Sequence, residues 1–310
     1  MSIALGLDTS NYTTSTALYD SASGEVIQQK KLLPVAKGQL GLRQSDAVFH
    51  HVQQLPEMMT ALFDGSRHHP EVIGVSTRPR PVEGSYMPCF EVGRGAAEQL
   101  SAVLGVPVKK YSHQEGHIAA AMYSSGFKAQ PGDKFLAYHL SGGTTEGVLV
   151  TRKDDGFDAE LICGSLDLKA GQLIDRVAGM LGLPFPGGVY LEKLALECDE
   201  AIRCKPTIKG LDCCLSGVEN ICQRLNSEGE SHEYIARVCL EHIISAVTAM
   251  TEGVFGKCGE LPVLFAGGVS SNVIMRERMQ HRFGAFFAQP AFSCDNAAGV
   301  AILASGGECL

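Results

Sequence analysis

The stretch YSHQEGHIAA, residues 111–120, places His113 and His117 four residues apart. On a helix that spacing puts both imidazoles on one face, where they can meet one metal ion. The string is close to the His-Glu-x-x-His of zinc proteases, in which the glutamate directly follows the first histidine and addresses the metal-bound water. Here Gln114 holds that place. Glu115 comes one residue later, turned about 100° around a helix. Peptidase chemistry is therefore not expected. A metal site needs only the two histidines and a further ligand, and the alternative is an incidental pair near a helix start. Asp295, in SCDNAAGVAI, offers a carboxylate. Its ordinary role would be to cap the Ala-rich helix that follows. A carboxylate has two oxygens, so cap and ligand do not exclude each other.

Three glycine pairs come next. LSGGTTEG (Leu140–Gly147) and FAGGVSSN (Phe265–Asn272) each put Gly-Gly directly after an apolar strand, and PFPGGVYLEKLA (Pro184–Ala195) puts one before a helix. Glycine lets a ligand approach the backbone, and N–H groups at such turns and at helix starts bind phosphate. Neither a P-loop nor a GxGxxG pattern is present. Asp175, in GQLIDRVAG, shares a helical stretch with Leu173, Ile174 and Val177. It is either an exposed carboxylate or an acceptor for ribose hydroxyls.

The elements that must position these groups follow from patterning. With 310 residues, 45% hydrophobic and 19% charged, the chain has room for one large domain or two ordinary ones. IALGLD, TSTALYD and EVIQQKKLL read as three strands, followed by a helix over 45–63 interrupted near Pro56. EVIGVST is a strand, 90–105 a helix ending in Gly105, and VPVKKYS a strand leading into the histidine helix. KFLAYHLSGG, TTEGVLVTRK and FDAELICGS then begin a second cycle. Helices are expected over 168–182, 187–198, 216–227 and 232–256, with a strand PVLFAGG, a helix from Ser271 and a last helix from Asp295. ALGLDTSNYTTSTALYD and AYHLSGGTTEGVLVTRK share one design, an apolar strand, a turn of small and hydroxyl residues, and a second strand. That similarity suggests a duplicated unit.

Composition narrows the partners. A net charge of −8 gives no basic footprint for nucleic acid, so RNA would need a local patch or a partner protein. Eleven cysteines, without a Cys-x-x-Cys pair, read as reduced thiols, and the adjacent Cys213 and Cys214 as either a redox-active pair or an ordinary loop. MSIALGLDTS lacks a signal-peptide pattern, and no run approaches the roughly 18 apolar residues that span a bilayer. A cytoplasmic protein without a membrane partner is expected.

Taken together the motifs resemble the TsaD/Gcp family of tRNA threonylcarbamoyladenosine-forming proteins, once described as sialoglycoproteases. SHQEGH is similar to its Ser-His-x-Glu-Gly-His, and LSGGTT to its Ser-Gly-Gly-His/Asn-Thr loop. GQLIDRVAGMLGLPFPGGVYLEKLA, LSGVEN, AGGVSSNVIMRERM and SCDNAAGVAI match four further family motifs in order along nearly the whole chain. The resemblance implies an α/β protein of two duplicated ribonuclease-H-like units in the actin-like, sugar-kinase-like (ASKHA) ATPase fold, with a nucleotide and metal cleft between lobes. Residues 1–130 would form the first lobe with the histidine helix, 131–290 the second with the nucleotide loops, and 291–310 a terminal segment carrying Asp295 back toward the cleft. One divalent metal, Fe2+ or Zn2+, would be held by His113, His117 and Asp295. ATP, AMP or a carbamoyl-adenylate would be held by Leu140, Ser141, Gly142, Gly143, Thr144, Asp175, Gly188, Glu192, Gly267, Gly268 and Asn272. Thr9 and Ser10 would supply phosphate contacts from the first turn.

The chain also departs from the pattern. The family's first turn reads Glu-Thr-Ser-Cys-Asp-Glu-Thr, whereas this one reads DTSNYTT, with Asn11 and Tyr12 in a turn that has lost two acidic residues. Thr144 stands where the family has His or Asn, Leu168 where it has a second Asp after Asp167, and Arg78 and Arg80 where it has the glycines of Gly-Pro-Gly. The expected function is transfer of a threonylcarbamoyl group to N6 of a tRNA adenosine by a diverged paralogue. tRNA would be reached through partner proteins, among them a paralogous subunit of the same fold. The alternatives are a nucleotide-binding partner subunit without transfer chemistry, or a carbamoyltransferase for another acceptor. No residue is assigned as catalytic.

Overall fold

The computed structural model describes residues 3–34, 42–64, 69–307 and 309–310. The chain divides into two compact units, one of Met1–Asp133, Thr151–Ala159 and Ala291–Leu310, the other of Lys134–Val150 and Glu160–Pro290.

The first unit begins with β1 (Ile3–Thr9), β2 (Thr13–Asp20) and β3 (Val26–Leu32), followed by α1 (Gln44–Phe63), β4 (Val72–Arg78), α2 (Phe90–Leu104), β5 (Val108–Ser112) and α3 (His113–Ser125). Its sheet has the order β3-β2-β1-β4-β5. The β1–β2 and β2–β3 pairs are antiparallel, whereas β4 and β5 add in parallel, as helical crossovers require. Leu5, Leu7, Leu18, Ile73 and Val75 of the strands pack with Leu55 and Leu62 of α1 and Ala97 of α2. α1 runs unbroken through Pro56, contrary to the expected interruption. Pro56 lies on the exposed face of the helix, and its carbonyl accepts from Thr60 Oγ1.

The second unit contains β6 (Lys134–Leu140), β7 (Thr145–Lys153), β8 (Gly156–Gly164), α4 (Ala170–Met180), α5 (Gly188–Leu196), the small hairpin β9 (Thr207–Lys209) and β10 (Asp212–Cys214), α6 (Ser216–Glu228) and α7 (His232–Cys258). It continues with β11 (Val263–Ala266), a 3-10 turn over Gly268–Ser271, α8 (Val273–Phe283) and β12 (Phe286–Phe287). The sheet order β8-β7-β6-β11-β12 repeats that of the first unit. The duplication visible in the sequence is thus a repeated sheet topology. Cys213 and Cys214 lie in β10 rather than in a loop, and α8 starts at Val273 rather than near Ser271. α7, at 27 residues, has the length and apolar composition to cross a bilayer, although its apolar residues are interrupted by Arg237, Glu241 and His242. Its buried residues, among them Ile235, Cys239, Ile243, Val247 and Met250, form the core of this unit instead.

α9 (Pro290–Ser293) and α10 (Ala298–Ala304) complete the chain, and α10 belongs to the first unit, packed on α3, β1 and β4. Glycines permit that approach. A Cβ on Gly6 would collide with the Ala297 carbonyl oxygen, one on Gly74 with that of Val300, and one on Gly299 with that of Gly116. The last helix starts at Ala298, three residues later than expected, and Asp295 does not cap it. Asn296 serves the helix start, its Oδ1 accepting from the Ala298 N–H at 3.1 Å. The Asp295 carboxylate is left for other partners.

Candidate metal centre

α3 begins at His113 because Ser112 and Glu115 form a capping box. Ser112 Oγ accepts from the Glu115 N–H at 3.2 Å, and Glu115 Oε2 accepts from the Ser112 N–H at 2.7 Å and its hydroxyl at 2.8 Å. Glu115 is buried, and its other oxygen faces the Phe157 N–H at 3.5 Å. The carboxylate that suggested a protease is therefore committed to starting its own helix.

The two histidines project from the first turns of α3 with ring centroids 4.3 Å apart. Their Nε2 atoms lie 2.9 Å from each other. Asp295 Oδ1 is 3.2 Å from His117 Nε2 and 3.4 Å from His113 Nε2. Neutral imidazole nitrogens and a carboxylate all offer lone pairs, so at these distances a proton or a cation must hold them together. Ligand atoms about 2.1 Å from an ion are about 3.0 Å apart at right angles and about 3.4 Å at the tetrahedral angle. The observed edges span that range, and the donor set of two imidazoles and one carboxylate suits a borderline divalent ion. The residues fit a metal.

Several flanking groups had no sequence signal beyond residue type. Asp8, at 0% exposure on β1, holds His113 Nδ1 at 2.9 Å through Oδ1. Thr13 on β2 donates its hydroxyl to Asp295 Oδ2 at 3.2 Å, leaving Oδ1 toward the histidines. His51, fully buried on α1, bonds the Thr14 hydroxyl and the Ser10 carbonyl, each at 2.8 Å, and burial pulls its pKa down. An acidic residue near the end of an apolar strand, as Asp8 is, is the one cue the sequence carried.

Of the first-turn residues, Thr9 donates to the Cys89 carbonyl at 2.9 Å and accepts from the Gly93 N–H at 3.1 Å. Its hydroxyl ties β1 to α2 and is wholly buried. Ser10 is buried, and its Oγ has no hydrogen-bond partner among the described residues. Asn11 accepts from Gln44 Nε2 at 2.6 Å, and Tyr12 is exposed.

Burial, the largest influence on His113, disfavours its imidazolium, but the Asp8 and Asp295 carboxylates outweigh it and push its pKa up to about 10. Burial likewise works against ionised Asp295, yet His113 and His117 hold its carboxyl well below the usual range. A ligand histidine must be deprotonated at the coordinating atom. Metal uptake below about pH 10 is therefore expected to release a proton from His113. Apparent affinity should then climb with pH, by up to about tenfold per unit, through the neutral range. The raised pKa has the opposite sign for the metal-free protein, whose stabilisation by this ion pair is full below the ordinary histidine range and is lost as pH rises through about 10. Zinc titration in two buffers of different ionisation heat, at pH 6 and pH 8, measures the release, and no proton uptake or release at either pH would contradict it.

In the second unit the other expected residues form one connected set of loops. Ser141 and Thr144 close a turn, with Ser141 N–H to the Thr144 carbonyl at 2.8 Å and Thr144 N–H to Ser141 Oγ at 3.2 Å. Gly142 and Gly143, at its tip, are exposed, as is Gly268. Gly267 has φ +94° and lies against the carbonyl of buried Leu140, where any Cβ would collide. Asp175 Oδ1 accepts from the Gly187 N–H at 2.8 Å, just before Gly188 opens α5. Glu192 accepts from the Val273 N–H, and Asn272 Oδ1 caps α8 through the Met275 N–H at 2.9 Å. Asp167, not expected as a site residue, receives the N–H groups of Leu168, Leu215 and Ser216 and the Ser216 hydroxyl. Leu168 beside it is buried in the core. Thus Asp175, Glu192 and Asn272 each brace a backbone turn with one oxygen.

The chain is similar to several known proteins. The chain is 27% identical over 285 residues to the tRNA N6-adenosine threonylcarbamoyltransferase of Methanopyrus kandleri strain AV19, covering 90% of this chain and 80% of that protein. In fold it is similar to T. kodakarensis HypF, with a TM-score of 0.61 at 12% identity over 98% of this chain, which spans 47% of HypF. It is also similar to a ROK family glucokinase from Streptomyces griseus, with a TM-score of 0.50 at 13% identity, covering 98% of this chain and 99% of that one. The fold is thus the actin-like, sugar-kinase-like one. The profile of the TsaD family, tRNA N6-adenosine threonylcarbamoyltransferase, matches residues 25–302, which include both histidines, Asp295 and the three glycine loops. A chain that carries these elements in this order over that span belongs to the TsaD family.

Proposed function

We propose that this chain transfers a threonylcarbamoyl group from a carbamoyl-adenylate to N6 of a tRNA adenosine. The observation that carries the reading is the convergence of His113 Nε2, His117 Nε2 and Asp295 Oδ1 at separations of 2.9–3.4 Å. These residues would hold Fe2+ or Zn2+, which supplies Lewis-acid neutralisation of substrate phosphate or carboxylate charge when bound. The loops at Ser141–Thr144, Gly187–Gly188 and Gly267–Asn272 would hold the adenylate. The backbone amides of the exposed residues Gly142, Gly143 and Gly268 would stabilise the AMP that leaves. The acceptor amine attacks the carbamoyl carbon. A C–N bond forms, the bond from that carbon to the phosphate oxygen breaks, and the amine proton passes to solvent. With a net charge of −8, contact with tRNA falls to partner proteins, including a paralogous subunit.

One observation favours a second reading, a nucleotide-binding subunit without transfer chemistry or a transferase for a different acceptor. Residues 9–14 contain no carboxylate, Asn11 is bonded to Gln44, and Thr13 is bonded to Asp295. Incubation of the metal-loaded protein with threonylcarbamoyl-adenylate and unmodified tRNA decides between them. Modified adenosine measured by nucleoside mass spectrometry supports transfer to tRNA. Its absence where another family member succeeds, with adenylate binding intact, would establish the second reading.

A further inference from the structure

We infer that Asp8 is a positioning residue that fixes the tautomer and ring orientation of His113, so that Nε2 alone is offered to a metal; this rests on the metal reading above. Asp8 is the penultimate residue of β1, which runs between β2 and β4, and is paired with Ser15 in register. Its side chain has 0% exposure, so no solvent competes for the carboxylate. An ionised carboxylate only accepts hydrogen bonds, so the 2.9 Å contact with His113 Nδ1 requires the hydrogen on Nδ1. The remaining nitrogen, Nε2, is the one facing His117 Nε2 at 2.9 Å and Asp295 Oδ1 at 3.4 Å. Free imidazole side chains in water favour the other tautomer, whose hydrogen would point into the three-atom cluster. Asp8 therefore keeps the hydrogen on Nδ1, so that the proton an arriving ion displaces is the one on Nε2, as carboxylates paired with ligand histidines do elsewhere. Thr13 treats Asp295 in the same way from β2, donating to Oδ2 and leaving Oδ1 inward. The first hairpin thus orients two of the three donors.

The test uses the whole chain, Zn2+ alone as the probe, and competition with a chromophoric chelator at pH 8. Asp8→Asn preserves shape but presents an amide that can donate to Nδ1, which frees the other tautomer. It is expected to bind Zn2+ about ten- to a hundredfold more weakly than the parent protein. Thr16→Val removes a different buried hydroxyl from β2, one that donates to the Met58 carbonyl, and is expected to bind within about threefold of it. Long-range proton–nitrogen spectra of the zinc-loaded parent protein should show His113 protonated at Nδ1 and shifted by zinc at Nε2. Equal zinc affinity in Asp8→Asn and the parent protein overturns the inference, as does an equal loss in both variants or zinc on Nδ1. If Asp8→Asn fails to fold, the parent spectrum decides. Failure of the parent protein to bind Zn2+ would instead overturn the metal reading itself.

Discussion

Replacing His117 with alanine is expected to abolish metal binding while leaving the fold in place. His117 supplies one of the three donors found among the described residues and sits in the first turns of α3, where alanine is the better helix former. Outer partners of ligand histidines typically cost about ten- to a hundredfold in affinity when removed, so losing a ligand should exceed about a hundredfold. In stability terms, a ligand at a hundred times its dissociation constant raises the unfolding free energy by about 2.7 kcal/mol. The parent protein should therefore melt higher with Zn2+ than without it, and His117→Ala should melt at one temperature in both conditions. Bound metal after dialysis should fall from one ion per chain to a trace, and any transferase activity with it. An incidental histidine pair predicts the reverse, unchanged metal content in parent and variant.

The second large effect lies far from any chemistry. Gly299→Ala is expected to destabilise the first unit by about 3 kcal/mol or more, at or above the usual range for an overpacked core. The added methyl would meet the Gly116 carbonyl oxygen and then the Ala120 N–H nitrogen at 3.0 Å, both backbone atoms of α3 that cannot swing aside. In a folding unit of this size that corresponds to a melting temperature lower by about 6–12 °C. Because Asp295 is four residues before Gly299, a displaced α10 also withdraws the third donor, and zinc affinity should fall in the same variant. Gly95→Ala provides the contrast. Gly95 lies within α2 with nothing within 4 Å of its added Cβ, so alanine there should stabilise by about 0.5–1 kcal/mol. A melting temperature for Gly299→Ala within about 2 °C of the parent would remove the close-packing account of α10.

Gly116 shows how the two levels differ. In the sequence it is one letter of a His-Gln-Glu-Gly-His string, with no reason of its own. In the fold its carbonyl lies against Gly299, and a Cβ would stand 3.1 Å from Val300 Cγ1. The glycine lets α10 press on the histidine helix, which brings a carboxylate 178 residues away to 3.2 Å from His117. Glu115, already excluded as a protease base by its spacing, is in the fold the N3 partner of a capping box. Periodicity and turn chemistry, being local, determined most strands and helices, the repeated hairpin design, the helical stacking of His113 and His117, and the glycine loops. They also determined that Glu115 could not act as a protease base, since its angular place on a helix depends only on spacing. Local rules misplaced the break at Pro56 and the start of the last helix, because burial of one face carries a helix past a proline and Asn296, not Asp295, accepts from the first N–H of the last helix. Asp8 beneath His113, Thr13 behind Asp295 and the glycine contacts under α10 were decided by tertiary structure alone, because they join strands and helices through pairings that no window of sequence contains.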